Sequence, residues 1–306
     1  VATATAEERL RSVSRNFQEA MVLFDAMIAR GVTYRVDPSS SYSLLSEREQ
    51  AVDYVRYPYQ TWSDGFGDCD DLSVLYATLL EAVGIPSAFI TVPGHILVAF
   101  QLDVAASSAR GQFANPSDLI FASDGTVWVP VETTRHDAGF VGAWRYAAGL
   151  YREHEQRGTA GLIRTAQAWQ IYDSVQSPFD ERTIQTVDLE TLTGLFRDDI
   201  EVFVDLEIAD REVLWTQQLA DESLSASARL RVRNRLGWLY AYYDRTADAK
   251  RHFLAILEHE EYAPTLVNLG NLAYLDGDYA SAADYYDRAL AVDSASTAAL
   301  LGAARA

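Results

Sequence analysis

Apolar residues first recur regularly at Leu10, Val13, Phe17, Ala20, Met21, Phe24 and Ile28. Spacings of three and four predict an amphipathic helix over residues 7–30, ending at Gly31. Thr33–Ser46, serine-rich and holding Pro38, reads as an irregular surface segment. Glu47–Tyr57 predicts a second helix, closed before Pro58 because the residue preceding proline disfavours helical geometry. Pro58–Trp62 then leads into a glycine-containing turn, Gly65-Phe66-Gly67. Leu72–Val83 returns to helical spacing and Gly84 stops it. Ser87–Val92, His95–Leu102 and Thr126–Thr134 are strand-like, and Asp103–Ser117, rich in small residues, reads as a loop. Residues 1–142 therefore predict an α+β domain. Residues 143–225 are mostly helical in pattern, with an interruption near Ser177-Pro178, and read as a helical extension packed on that domain.

Residues 226–306 repeat. Leu236-Gly237 recurs as Leu269-Gly270 and Leu301-Gly302, and Tyr240, Ala249 and Phe253 are answered by Ala273, Ala282 and Tyr286. Small residues recur where paired helices approach closely, and large ones where a groove must be filled. The pattern resembles the tetratricopeptide repeat, with a best copy at Ala263–Ser296 and a third copy reduced to one helix. That resemblance implies an all-α superhelix that binds a protein partner.

Composition narrows the function classes. The 306 residues are 49% hydrophobic and 11% aromatic, enough for ordinary cores, and no apolar run is long enough to span a bilayer. A formal charge of −19 argues against binding a nucleic-acid backbone.

Cys69 is the one cysteine, so no intrachain disulfide is possible. It stands between the glycine turn and a predicted helix, where unpaired N–H groups and the helix dipole favour a thiolate. A thiol nucleophile needs a base, and the base needs a group that sets its tautomer. His95 opens a predicted strand 26 residues on, and Glu132 lies near the end of another, 37 residues further. The acids beside the thiol, Asp68, Asp70 and Asp71, oppose a thiolate unless they turn away to cap the helix, and Asp70 and Asp71 are expected to do so. The same trio of thiol, imidazole and carboxylate could instead ligate zinc. Asp64, Asp68, Asp70 and Asp71 could suggest calcium, but the twelve-residue calcium-loop pattern is absent. His136, His154, His252 and His259 lie in polar sequence surroundings and are expected to be solvated.

Four motifs occur in order: Gly67-Asp68-Cys69-Asp70-Asp71-Leu72, Leu79-Leu80 followed by Gly84-Ile85-Pro86, Pro93-Gly94-His95, and Trp128-Val129-Pro130-Val131-Glu132-Thr133-Thr134. Over about residues 45–140 they resemble the transglutaminase-like cysteine peptidase superfamily. The resemblance implies a papain-like core, with Cys69 as nucleophile, His95 as general base and Glu132 as the orienting acid. The family more often has aspartate at the third place. By analogy with papain-like enzymes, Gln60 or Trp62 upstream of the cysteine would help hold the oxyanion, together with the Cys69 N–H. The implied activity is thiol-dependent acyl transfer on a peptide or amide substrate, hydrolytic or transamidating, without metal or organic cofactor. The alternative is a non-catalytic interaction scaffold that retains the fold. The proteins resembled are bacterial and many are extracytoplasmic, which inclines the location that way.

Overall fold

Ser14 decides where the first helix begins. Its hydroxyl accepts the N–H of Phe17 and starts α1 (Arg15–Ala29), shorter than the periodicity predicts. Residues 10–13 are instead held as a loop by Gln18, whose amide bonds the N–H and C=O of Leu10 and the C=O of Val13, each at 2.9 Å. The computed structural model describes residue 5 and residues 8–36, 55–173, 175 and 185–306. Most of the helix expected at 47–57 lies outside the described residues, and Val55–Tyr57 is not helical. Pro58 does not merely follow a helix but opens one, α2 (Pro58–Asp64), because its missing N–H costs nothing in a first turn.

The chain divides into two compact units, Val1–Phe203 and Val204–Ala306. In the first, helices surround a curled five-stranded antiparallel sheet. Its strands are β3 (Ser87–Val92), β4 (His95–Gln101), β5 (Ile120–Phe121), β6 (Val127–Val131) and β7 (Gly161–Arg164), in the order β5-β6-β4-β3-β7. A separate parallel pair joins β1 (Thr33–Tyr34) to β2 (Phe66–Gly67). α3 (Cys69–Ala82) packs beside β4, and within the stretch expected as a loop α4 (Ala106–Gln112) forms. Its alanines, arginine and glutamine are good helix formers, which outweighs the small-residue signal.

Residues beyond 142 complete this unit's core. α5 (Gly139–Gln156) places Ala147 against Ile90, Leu97, Ala99 and Trp128 of the sheet, and β7 supplies an edge strand the helical pattern did not announce. Phe17 is the hub of the opposite pleat, with ring centroids 6.3 Å from Phe100, 5.3 Å from Phe140, 5.2 Å from Trp144 and 4.9 Å from Phe203. Burying such a side chain stabilises by about 1.5–3 kcal/mol.

α6 (Thr165–Ala168) is a single turn, and α7 (Leu189–Ala220) is a helix of 32 residues within which the division between units falls. The second unit is helical: α8 (Ala226–Tyr242), α9 (Thr246–Leu257), α10 (Ala263–Leu275), α11 (Tyr279–Val292) and α12 (Thr297–Ala303). Ser225, Asp278 and Ser296 cap three of these with side-chain oxygens. No helix among the described residues is long and apolar enough to cross a membrane.

Candidate active site

Three elements bring the histidine and glutamate into contact and set the cysteine beside the strand that carries the histidine. Gly65, at φ 75°, ends α2, and a Cβ added to Gly67 would lie 2.6 Å from Asp71 Cβ. Glycine at both places lets β2 turn tightly into α3, so that Cys69 is the first residue of that helix. One turn on, Ser73 lies on the same helix face and its hydroxyl meets that of Thr133 at 3.3 Å, both fully buried. This contact ties the cysteine end of α3 to the segment that carries Glu132. His95 is the first residue of β4, and the N–H of its neighbour Ile96 points to the Cys69 sulfur.

His95 Nε2 and Glu132 Oε2 are 2.6 Å apart. Glu132 is 1% exposed, and its other oxygen accepts the N–H of Thr134 at 3.0 Å and the Thr134 hydroxyl at 2.7 Å. The longer side chain therefore reaches the imidazole, with Thr134 bracing its far oxygen. With Nε2 committed to the carboxylate, Nδ1 is the nitrogen left to receive a proton from a thiol.

The electrostatics at Cys69 differ from the sequence expectation. Asp70 and Asp71 accept local N–H groups, as expected of first-turn caps, yet Asp68, Asp70 and Asp71 are all buried near the thiol. Asp71 behaves as a cap, accepting the N–H of Arg56 at 2.7 Å and that of Asp68. Burial raises its pKa, and these bonds oppose the rise. Asp70 accepts the N–H of Asp71 at 3.0 Å. Asp68 is the N-cap residue but makes no side-chain capping bond, and its buried Oδ1 meets no donor among the described residues. Burial, then Asp68 and Asp70, push the Cys69 thiol up to about 12, against the lowering effect of the Ile96 N–H. Burial, reinforced by the neighbouring carboxylates, thus favours the thiol over the thiolate despite its place at a helix start.

One carboxyl oxygen from each of Asp68, Asp70 and Asp71 lies within 4.8 Å of the others, a spacing compatible with a cation. Cys69, His95 and Glu132 do not form such a group among the described residues.

Of the upstream candidates, Trp62 spends its one donor elsewhere, and Gln60 is engaged through its acceptor oxygen. The Gln60 side-chain oxygen accepts the N–H of Tyr57 at 2.9 Å, and the Trp62 indole donates its one N–H to the Gln185 carbonyl at 2.9 Å. Tyr34, which pattern reasoning passed over, stands opposite Gly67 in the β1–β2 pairing. Burial raises its pKa first, followed by Cys69, Asp68 and Glu132, so its phenol belongs to the electrostatic neighbourhood of the site. Nothing in its local sequence could have revealed this, because a two-residue strand has no periodicity.

His136 is not solvated as expected. Its Nδ1 lies 2.9 Å from the Val32 carbonyl and its ring meets Phe24 edge-on at 5.2 Å, while burial lowers its pKa. His252 is likewise half-buried, stacked on Tyr240 at 5.0 Å.

Comparison with known proteins touches the second unit alone. No curated protein and no solved structure matches the chain. Residues 263–296 match the tetratricopeptide repeat family, and this stretch of the chain is a tetratricopeptide repeat.

Proposed function

We propose that the chain is a thiol-dependent acyl-transfer enzyme acting on peptide or amide bonds, with helical repeats that hold a protein partner. In this reading residues 1–142 form a transglutaminase-like, papain-like core, residues 143–225 extend it, and residues 226–306 form the repeat module. The observation that carries it is the 2.6 Å contact between His95 and the buried Glu132, beside a strand whose Ile96 N–H meets the Cys69 sulfur.

The reaction runs as follows. Cys69 Sγ attacks the carbonyl carbon as its proton passes to His95 Nδ1. The imidazolium that forms is stabilised by Glu132, and the oxyanion is held by the Cys69 N–H at the start of α3. Collapse breaks the C–N bond, the leaving amine takes the proton from His95, and a thioester remains on Cys69. Water, or an amine, attacks the thioester with His95 again as base. Hydrolysis and transamidation share every step before this one, and hydrolysis is preferred because water is always present. Since the thiol is held up to about 12, proton transfer accompanies attack and no resting thiolate–imidazolium pair is needed.

A second reading is favoured by that same elevated pKa: an interaction scaffold with an inert thiol. Intact-mass analysis after mixing with an activated ester separates the two. The enzyme reading expects one acyl group on the wild type, none on Cys69→Ser, and far slower acylation of His95→Ala. A wild type that forms no adduct with esters or amides would leave the scaffold.

A further inference from the structure

Four arginines stand at alternate positions of α8, and only the first has a structural task. Arg229 donates to the carbonyls of Leu219, Asp221 and Leu224, closing the end of α7. Arg231 and Arg235 are exposed and make no ion pair or hydrogen bond with any described residue. They lie four apart on one helix face, where like charges destabilise the helix they share. In a chain with 44 acidic and 25 basic residues, two unneutralised guanidinium groups side by side run against the overall charge.

The same face continues at helical spacing through Trp238 and Tyr242. Trp238 is 48% exposed and its ring lies against that of Tyr242, with centroids 5.0 Å apart and planes inclined by 30°. Arginine, tryptophan and tyrosine are the side chains that most often dominate protein interfaces. The stripe thus has a cationic half and an aromatic half.

We infer that the Arg231–Arg235–Trp238–Tyr242 stripe docks an acidic peptide segment carrying an aromatic or aliphatic anchor. The carboxylates would supply the forked partners the two guanidinium groups lack, and the anchor would cover Trp238. This deepens the protein-binding half of the proposed function and rests on it, but it does not depend on the thiol chemistry.

The test is fluorescence anisotropy on the full chain, with a labelled peptide of Glu and Asp flanking one Phe and an analogue in which Gln and Asn replace the acids. The acidic peptide should bind and weaken as salt is raised. The double variant R231E/R235E and the variant W238A should each lose about tenfold or more in affinity. The charge-matched double variant R11E/R157E, altered at two exposed arginines of the first unit, should bind as wild type, and circular dichroism should show unchanged helicity in all. Equal binding of the neutral analogue, or undiminished binding by R231E/R235E, overturns the inference while leaving the repeats as a protein-binding module. Tighter binding of single-stranded oligothymidylate to the same residues overturns it in favour of a nucleic-acid ligand. An intact acylation assay on the same samples keeps these outcomes separate from the fate of the thiol reading.

Discussion

In the repeat unit three glycines make room for rings; in the first unit two make room for buried aspartates. A Cβ on Gly237 would lie 2.4 Å from the Phe253 ring, and one on Gly270 or Gly302 would lie 2.6 or 2.3 Å from that of Tyr286. A Cβ on Gly139 would lie 2.7 Å from Asp199 Oδ1, and Gly67 faces the Asp71 side chain. The first kind of contact is apolar close packing, which stabilises at any pH. The second buries a group that prefers water when charged, so its contribution changes with pH and with what lies beside it. One architecture serves repetition; the other tolerates the local cost of buried aspartates.

The comparison breaks most readily at Tyr286, wedged between two repeats. Tyr286→Ala should lower the stability of the repeat unit by about 3–5 kcal/mol, seen as an earlier denaturant midpoint in far-UV circular dichroism. Loss of the repeat helices with no change in acylation of Cys69 would also establish that the units stand apart energetically.

Glu132→Gln tests the polar side. The amide keeps the size but can present a donor to His95 Nε2, disturbing the tautomer, so acylation should fall by roughly a hundredfold or more with the melting temperature little changed. Equal acylation by this variant would remove Glu132 from the mechanism.

The third test concerns a buried acid pair remote in sequence from the thiol. Asp25 is fully buried, neither of its oxygens meets a conventional donor among the described residues, and what faces it is Asp199. Asp199 in turn accepts the N–H of Phe140 at 2.8 Å, at the start of α5. Burial first, and Asp199 second, hold the Asp25 carboxyl well above the ordinary range. A group raised on folding contributes most below its unfolded value of about 3.9 and loses that contribution as pH rises through its folded value. Asp25→Asn should therefore match the wild type in acid and exceed it by about 1–3 kcal/mol at high pH. Parallel pH profiles of thermal unfolding for the two proteins would contradict the raised Asp25 carboxyl.

The smallest effect is expected at the thiol itself. Asp68→Asn with Asp70→Asn removes the two carboxylates that raise Cys69 after burial, and should move the pH midpoint of iodoacetamide labelling down by about one unit. With a single cysteine the label reports on one site. An unmoved midpoint would assign the elevation to burial alone.

What could be read in advance followed from local order. Leu236-Gly237 and Leu269-Gly270, with aromatic residues at matching distances, announced paired helices because each repeat packs on its neighbour in sequence. The core strands β3, β4 and β6 were legible for a similar reason: β-branched and aromatic runs, with a turn at Pro93-Gly94 between the first two. The segments that went unread, β1, β2, β5 and β7, are two to four residues long. They exist only because a neighbour supplies their hydrogen bonds. The start of α1 was misplaced because a capping serine and the Gln18 amide overrode an apolar period that continued upstream.

At the candidate site the sequence by itself determined which reactive groups are present and where each begins: a sole thiol at a helix start, an imidazole at a strand start and a carboxylate just past a strand end. Chain order and element type were enough for that, since capping and turn chemistry act over a few residues. Only the tertiary structure decided that Glu132 reaches His95 at 2.6 Å, that the acids around Cys69 are buried, and that the Trp62 indole N–H is committed to another partner. The His95–Glu132 and Trp62–Gln185 contacts close 37 and 123 residues of chain, and burial depends on how much water is excluded; neither is written in any local pattern.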